Sequence, residues 1–419
     1  MRKRSGIRVV IWLFSLAGVF LAYQWFRNFI VDPDLGSFNS VDHIAAIELK
    51  KGGSHVVLFD PAGKKTEVPG YTPTASERDV AWSTDGNRVF FVSNRDGGAF
   101  QAYRWNPGNG KVEPRTTGTR SKGGIQFQES GTPEEKRTAL ITSGGFVFNL
   151  NPKDGSIRQI LPPTTGDAMM GEEQGVQGQF DGIYKQLGNS FREAMYGPDR
   201  SWIVATLRRD DGEVLIYQDL YSGDAPRVLV AGQKVEFDVS NDGKVAATVE
   251  GFTILYNNPA DLPKEFVKDG KLVLPFRNAL FIYDLSTKPN VEEEVSQFGI
   301  FQSPDDAAAM AEPKFNYAGD LLLVQTGMID DAGIFRCAGL STIPPVPGGM
   351  SKINPLQLGD ITDYDWSPDD SRVVFTVRTK GGNRDIWTID SNGTNAKNLT
   401  NGSGSFAQPR FSPQKKKGE

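Results

Sequence analysis

Cysteine, histidine and net charge are all scarce in this chain. Cys337 is the single cysteine among 419 residues. No internal disulfide is available, so stability must come from packing. His43 and His55 are the two histidines, too few for a His-rich metal site or a His-centred triad. A net charge of -5 lacks the basic footprint of a nucleic-acid binder, and no nucleic-acid partner is expected. Sequence signatures of catalysis are missing too. Gly402-Ser403-Gly404 falls short of a nucleophile elbow, and no Gly-rich loop carries the Lys of a phosphate cradle. Arg209-Asp210-Asp211-Gly212 and Asp330-Asp331 match no calcium-loop pattern and read as exposed acidic turns. No catalytic residue, metal ligand or cofactor is therefore assigned.

Long apolar runs are also missing, with one exception. Residues 1–8 carry Arg2, Lys3, Arg4 and Arg8, and no charge occurs between Arg8 and Arg27. As a helix the run Val9 to Phe26 would be about 27 Å long, close to the thickness of a bilayer core. Trp12, Tyr23 and Trp25 would lie toward its interfaces, and the basic flank would stay cytoplasmic. Small residues are poorly placed for cleavage. The expectation is a cytoplasmic segment 1–8, an uncleaved transmembrane signal anchor over 9–31, a polar linker over 32–42, and an exported domain over 43–419.

That domain reads as all-β. Apolar runs of five to eight residues alternate with Gly, Asn, Asp and Pro turns, and amphipathic helical periods are scarce. A unit recurs: a strand ending in an aromatic, a turn such as Ser367-Pro368-Asp369-Asp370 or Ser83-Thr84-Asp85-Gly86, then a second strand. Its key residues are Trp82, Phe127, Tyr196, Phe237, Phe315, Trp366 and Phe411. The shortest spacings, 41 and 45 residues, match one four-stranded propeller blade. In the turn, Pro presets φ, Asp caps its own backbone and Gly takes positive φ.

The last copy has one strand, whereas 44–49, 55–60 and 66–68 supply three strands with no inner one before them. Together they complete a blade and close the ring. Seven blades are expected, with cores near 44–70 plus 405–419, 80–118, 124–163, 194–232, 236–298, 313–345 and 362–402. Six is the alternative, if the Phe127 or Phe237 unit is not a separate blade.

Trp366-Ser367-Pro368-Asp369-Asp370, followed by Asp385-Ile386-Trp387-Thr388-Ile389-Asp390 and Asn398-Leu399-Thr400, resembles the WD-like propeller repeats of the TolB family. The resemblance covers 362–413 and 81–105, and TolB's separate N-terminal α/β domain has no counterpart. It implies the fold, and with the anchor it implies a single-pass protein of a bacterial inner membrane with its propeller in the periplasm.

Four long interruptions, 164–193, 251–277, 298–312 and 346–361, all map to the ring face opposite the short turns, and loops this long usually carry a function. Met169, Met170, Phe180, Tyr184, Phe191, Phe266 and Phe301 are the candidate ligand or partner surface, which the anchor would hold near the membrane. The function expected is a non-catalytic scaffold for an envelope protein or other ligand. The alternative is a lyase or hydrolase using carboxylates at the channel mouth, with or without a bound cation.

Overall fold

The computed structural model describes residues 38–128, 131–132, 135–163, 182–251, 267–268, 271–272, 278–287, 289, 295–303, 308–330 and 333–414. The anchor expected over 9–31 lies outside the described residues. Among the described residues no helix is long and apolar enough to cross a membrane.

Seven four-stranded antiparallel sheets make a seven-bladed propeller. Numbered from the shared blade, the inner strands are Phe406–Phe411 (blade 1), Glu77–Trp82 (blade 2), Lys122–Phe127 (blade 3) and Ser190–Tyr196 (blade 4). Lys234–Val239, Ala308–Phe315 and Ile361–Trp366 complete the ring as blades 5, 6 and 7. The Phe127 and Phe237 units are separate blades, so the six-bladed count does not apply.

Blade 1 closes as expected. Phe406–Phe411 pairs with Ile44–Lys50, Ile44 opposite Phe411, and Gly53–Phe59 and Lys65–Glu67 follow outward. The two ends of the described chain meet there. The Ser40 N–H donates to Gln414 Oε1 at 2.9 Å, and Gln414 Nε2 donates to the Asp85 carbonyl at 2.8 Å. Asp85 belongs to the turn after the inner strand of blade 2, so both ends leave by the short-turn face.

The recurring turn has a visible cause. In blade 7 the Ser367 hydroxyl donates to Asp369 Oδ1 at 2.6 Å and accepts the Arg372 N–H at 2.9 Å. Asp370 takes the positive φ, at 58°. Its carboxylate reaches blade 6, accepting the N–H groups of Tyr317 at 2.8 Å and Ala318 at 2.9 Å. The turn thus clasps neighbouring blades as well as reversing the chain. Aromatics ending the inner strands pack between blades: Trp82 and Trp366 are buried, and their indole N–H groups donate to Arg410 O at 3.0 Å and Lys314 O at 3.2 Å.

Two of the four expected insertions are strands. Ser296–Ser303 is the outer strand of blade 5, paired with Asn278–Asp284 through a bulge. Ala308–Phe315 is already the inner strand of blade 6, with Ala309, Met310 and Ala311 buried. In the stretch 346–361, Asn354–Leu358 is the outer strand of blade 6. Pro355 disguised it, yet proline is tolerated where an outermost strand has no further partner. The remaining connection, containing the short 3-10 helix Gly349–Lys352, therefore falls on the short-turn face. The strand ends at Leu161, Ser190, Glu250 and Asn278 lie on the opposite face; most of the two connections they bound lies outside the described residues.

Candidate functional site: an acidic central channel

Inner strands of a propeller face one another across the axis, so every second side chain points into the channel. In six of the seven blades the inner strand is also interrupted by a register shift. Only Lys234–Val239 runs without one. Four of these bulges place a residue at positive φ: Asp79 at 54°, Gly124 at 60°, Glu312 at 50° and Gln408 at 51°. Non-glycine residues adopt this conformation rarely, and bulges redirect side chains. Here Asp79, Glu312 and Gln408 sit on the channel wall.

The channel is a cavity of about 660 Å³. Its charged lining falls into two tiers. Nearer the starts of the inner strands lie Asp79, Glu193, Glu236, Glu312 and Asp363, with Arg192 beside them. Toward the short turns lie Asp238 and Asp365, with Lys314 and Arg410. Seven carboxylates thus face three cations. The first tier opens toward the loop-rich face, because inner strands start there.

Several of these acids bind the next blade. Asp79 Oδ2 accepts the Gly124 N–H at 3.0 Å, and Glu236 Oε2 accepts the Glu312 N–H at 2.8 Å. Asp238 Oδ2 accepts the Phe315 N–H at 2.7 Å, and Asp365 Oδ2 accepts the Phe411 N–H at 2.9 Å. Gln408 Oε1 does the same for the Asp79 N–H at 2.9 Å. Of the cations, Lys314 pairs with Asp365 at 2.5 Å, and Arg192 is held between Glu193 at 3.0 Å and Glu213 at 2.8 Å. Arg410 donates to the carbonyls of Tyr364 at 3.2 Å and Pro409 at 3.0 Å.

Crowding leaves negative charge uncompensated. Burial pushes the Glu193 carboxyl up to about 7, against the pull of Arg192 and with the help of Glu236, Glu213 and Asp238. Burial raises Asp238 to about 6, against Lys314 and the Phe315 N–H. Glu312 is raised by burial and then by Glu236 and Asp363. Tyr364 is held protonated by burial and then by Glu312 and Glu236, and its hydroxyl donates to the Glu312 carbonyl. Each shift marks a carboxyl for which ionisation is costly and a nearby cation would be welcome. Groups titrating near neutrality also suit general acid–base chemistry.

The expected surface residues are placed differently. Tyr184 and Phe191 are buried, packed with each other at 6.1 Å between ring centroids in the core shared by blades 3 and 4. Tyr184 Oη also donates to Gln218 Oε1 at 2.7 Å. The two rings do not form part of an exposed ligand or partner surface: the short helix Gly182–Leu187 and the strand Ser190–Tyr196 turn them inward. Phe301 is half-buried against the core of blades 5 and 6. Met169, Met170, Phe180 and Phe266 lie outside the described residues.

The channel acids were not singled out in the sequence. A signal existed: Glu236-Phe237-Asp238, Glu312-Pro313-Lys314 and Asp363-Tyr364-Asp365 each set charged residues two apart just before a turn. On a strand that puts two charges on one face.

One histidine–carboxylate group lies elsewhere, on blade 1. Ligand atoms of Glu48, His55 and Glu67 are within 4.8 Å of one another, with His55 Nε2 3.1 Å from Glu48 Oε2. Lys65 reaches Glu48 at 2.9 Å and Lys50 reaches Glu67 at 3.3 Å. Burial, then Lys50, lowers the His55 pKa. Two ammonium groups already neutralise the two carboxylates, although both ring nitrogens of the buried His55 lack a hydrogen-bond partner among the described residues.

No protein-family profile and no curated protein matches this chain. Solved structures match its fold. Oligogalacturonate lyase in complex with manganese aligns with a TM-score of 0.52 at 10% identity, over 86% of this chain and 85% of that one. TolB from Acinetobacter baumannii aligns with a TM-score of 0.46 at 13% identity, over 92% of this chain and 70% of that one. A prolyl endopeptidase propeller aligns at 0.46 and 12% identity, covering 88% of this chain and 51% of that one. At 10% identity the likeness to the lyase speaks for fold alone.

Proposed function

We propose that the protein is a non-catalytic binding module whose acidic channel receives a cationic segment of a protein partner through the loop-rich face. The observation that carries this is the surplus of seven carboxylates over three cations in one cavity, with Glu193, Asp238 and Glu312 driven toward protonation. A lysine or arginine entering the channel relieves that repulsion. Binding is favoured over catalysis because four of the seven acids already accept a backbone N–H from the next blade, which fixes them as a preorganised wall.

Trilysine amide is a suitable probe, with triglutamate as control. Calorimetry should show the cationic peptide binding on the order of tenfold more tightly at pH 9 than at pH 6, with proton release between them. Glu193→Gln combined with Glu312→Gln should flatten that dependence. Equal binding of triglutamate, or no pH dependence, would overturn the reading.

The transmembrane anchor over 9–31 belongs to the same proposal, supported by the charge-free run Val9 to Phe26 behind a basic flank. A reporter enzyme active only outside the cytoplasm, fused after Glu419, should be active in cells; activity of a cytoplasm-only reporter at the same position refutes the export.

A further inference from the structure

The loop-rich face carries a second recess, of opposite charge. It has a volume of about 370 Å³ and lies where the inner strands of blades 2, 3 and 4 begin. Its wall includes Arg78, Lys122, Arg192 and Arg208 against the single carboxylate Asp79. Four cations minus one anion leave a formal charge of +3, in a chain whose net charge is -5. A positive pocket in an acidic protein is a local arrangement rather than a reflection of composition.

The groups differ in what they offer. Arg192 is turned to Glu193 and Glu213 and contributes field rather than contacts. Lys122 is fully buried, with Nζ donating to the Arg120 carbonyl at 2.8 Å. Arg78 is steadied over the Phe100 ring at 4.1 Å, and its Nη2 donates to the Lys122 carbonyl at 3.3 Å. Its side chain stays 48% exposed, with Asp79 no nearer than 3.7 Å, so most of its donors remain open. Arg208 is exposed and has no side-chain partner among the described residues.

Backbone completes the wall. Gly123, Gly124, Gly144 and Gly145 line the recess, leaving peptide groups uncovered by any Cβ. Three of them stand at positive φ, Gly124 at 60°, Gly144 at 57° and Gly145 at 86°, which other residues adopt at a cost. A Cβ at Gly145 would come within 3.0 Å of Ser190 Cβ. Two guanidinium forks over a glycine floor suit a group with several acceptor oxygens.

We propose that this recess binds a soluble oxyanion, a phosphate, sulfate or carboxylate group, clamped by Arg78 and Arg208. The proposal stands apart from the cationic ligand of the channel. The two cavities nevertheless share Asp79, Gly124 and Arg192, so an oxyanion seated here lies at the lip of the channel.

The test uses the full chain in a neutral detergent at low salt, titrated with inorganic phosphate and followed by calorimetry and phosphorus NMR. Saturable binding is expected, weakened about tenfold or more by Arg78→Gln or Arg208→Gln. It should be unchanged by Arg378→Gln, a loss of one charge on blade 7 outside the recess. Both recess arginines are exposed, so folding should survive their replacement. Monomeric dihexanoylphosphatidylglycerol distinguishes the source of the oxyanion: binding of this lipid without binding of phosphate assigns a lipid headgroup and overturns the soluble reading. Phosphate binding that ignores both substitutions, or no binding of either probe, overturns the site itself. Trilysine binding is read separately, so failure here leaves the channel reading intact.

Discussion

Removing residues 404–419 should abolish cooperative unfolding. That segment contains the inner strand of blade 1, and Phe406 and Phe411 are buried between blades 1 and 7. Deleting one buried phenylalanine side chain costs about 3–5 kcal/mol. Two of them, with the strand's ladder of hydrogen bonds, match the entire stability of about 5–15 kcal/mol typical of a domain. The shortened chain would also expose the edge of Ile44–Lys50 in blade 1 and the apolar face of blade 7, a route to aggregation. Urea titration followed by tryptophan fluorescence is the check, for Trp82 and Trp366 sit between blades. Supplying the strand from the other end provides the control. Gln414 Nε2 lies 3.5 Å from the Phe38 carbonyl, so moving residues 404–414 ahead of residue 38 through a few glycines should restore the transition. A truncated chain that unfolds at the same midpoint as the full one refutes the shared blade.

Glu312→Gln should stabilise the protein in alkaline solution and leave it nearly unchanged in acid. Glu193, Asp238 and Glu312 have folded-state pKa values above their ordinary ones. Between about pH 4.5 and 7 the folded state therefore holds more protons than the unfolded state, and stability falls as pH rises through that window. Glutamine removes one charge from the crowd, and its carbonyl can still accept from Gln325 Nε2, which stands 3.2 Å from Glu312 Oε2. The gain at pH 8.5 should be about 1–2 kcal/mol after allowance for solvent in the channel, and close to nothing at pH 5. Denaturant titrations of both proteins at the two pH values decide it. Equal destabilisation at both would mean that the carboxylate is a needed partner.

What could be read in advance follows from the range of each interaction. The turn Ser367 to Arg372 closes its hydrogen bonds within five residues, so its pattern is written in consecutive letters. The shared blade was legible as a count of strands, three at one end and one at the other. The outer strands Ser296–Ser303 and Asn354–Leu358 were hidden by Gly299 and Pro355, residues that punctuate an inner strand but are harmless on an outermost one. Tyr184 and Phe191 misled because aromatic rings in a polar, Gly-rich stretch look the same whether they turn outward or inward. The channel is the clearest limit. The Glu312 N–H meets Glu236 from 76 residues away, and the bulge that aims Glu312 inward depends on a positive φ that no residue type advertises. The paired charges flanking Phe237, Pro313 and Tyr364 were visible, but their convergence belongs to the closed ring.

The meeting of the chain ends at Ser40 and Gln414 also sets an orientation. Both sit beside the first turn of blade 2, where a Cβ on Gly86 would strike Gln414, Ser40 and Ser412. An anchor preceding residue 38 would therefore draw the short-turn face toward the bilayer. The acidic channel mouth and the arginine-lined recess would then look away from the lipid, the reverse of a recognition surface held close to it. Such a protein meets what approaches from across the compartment, and its neighbours within the same bilayer meet only its plain side.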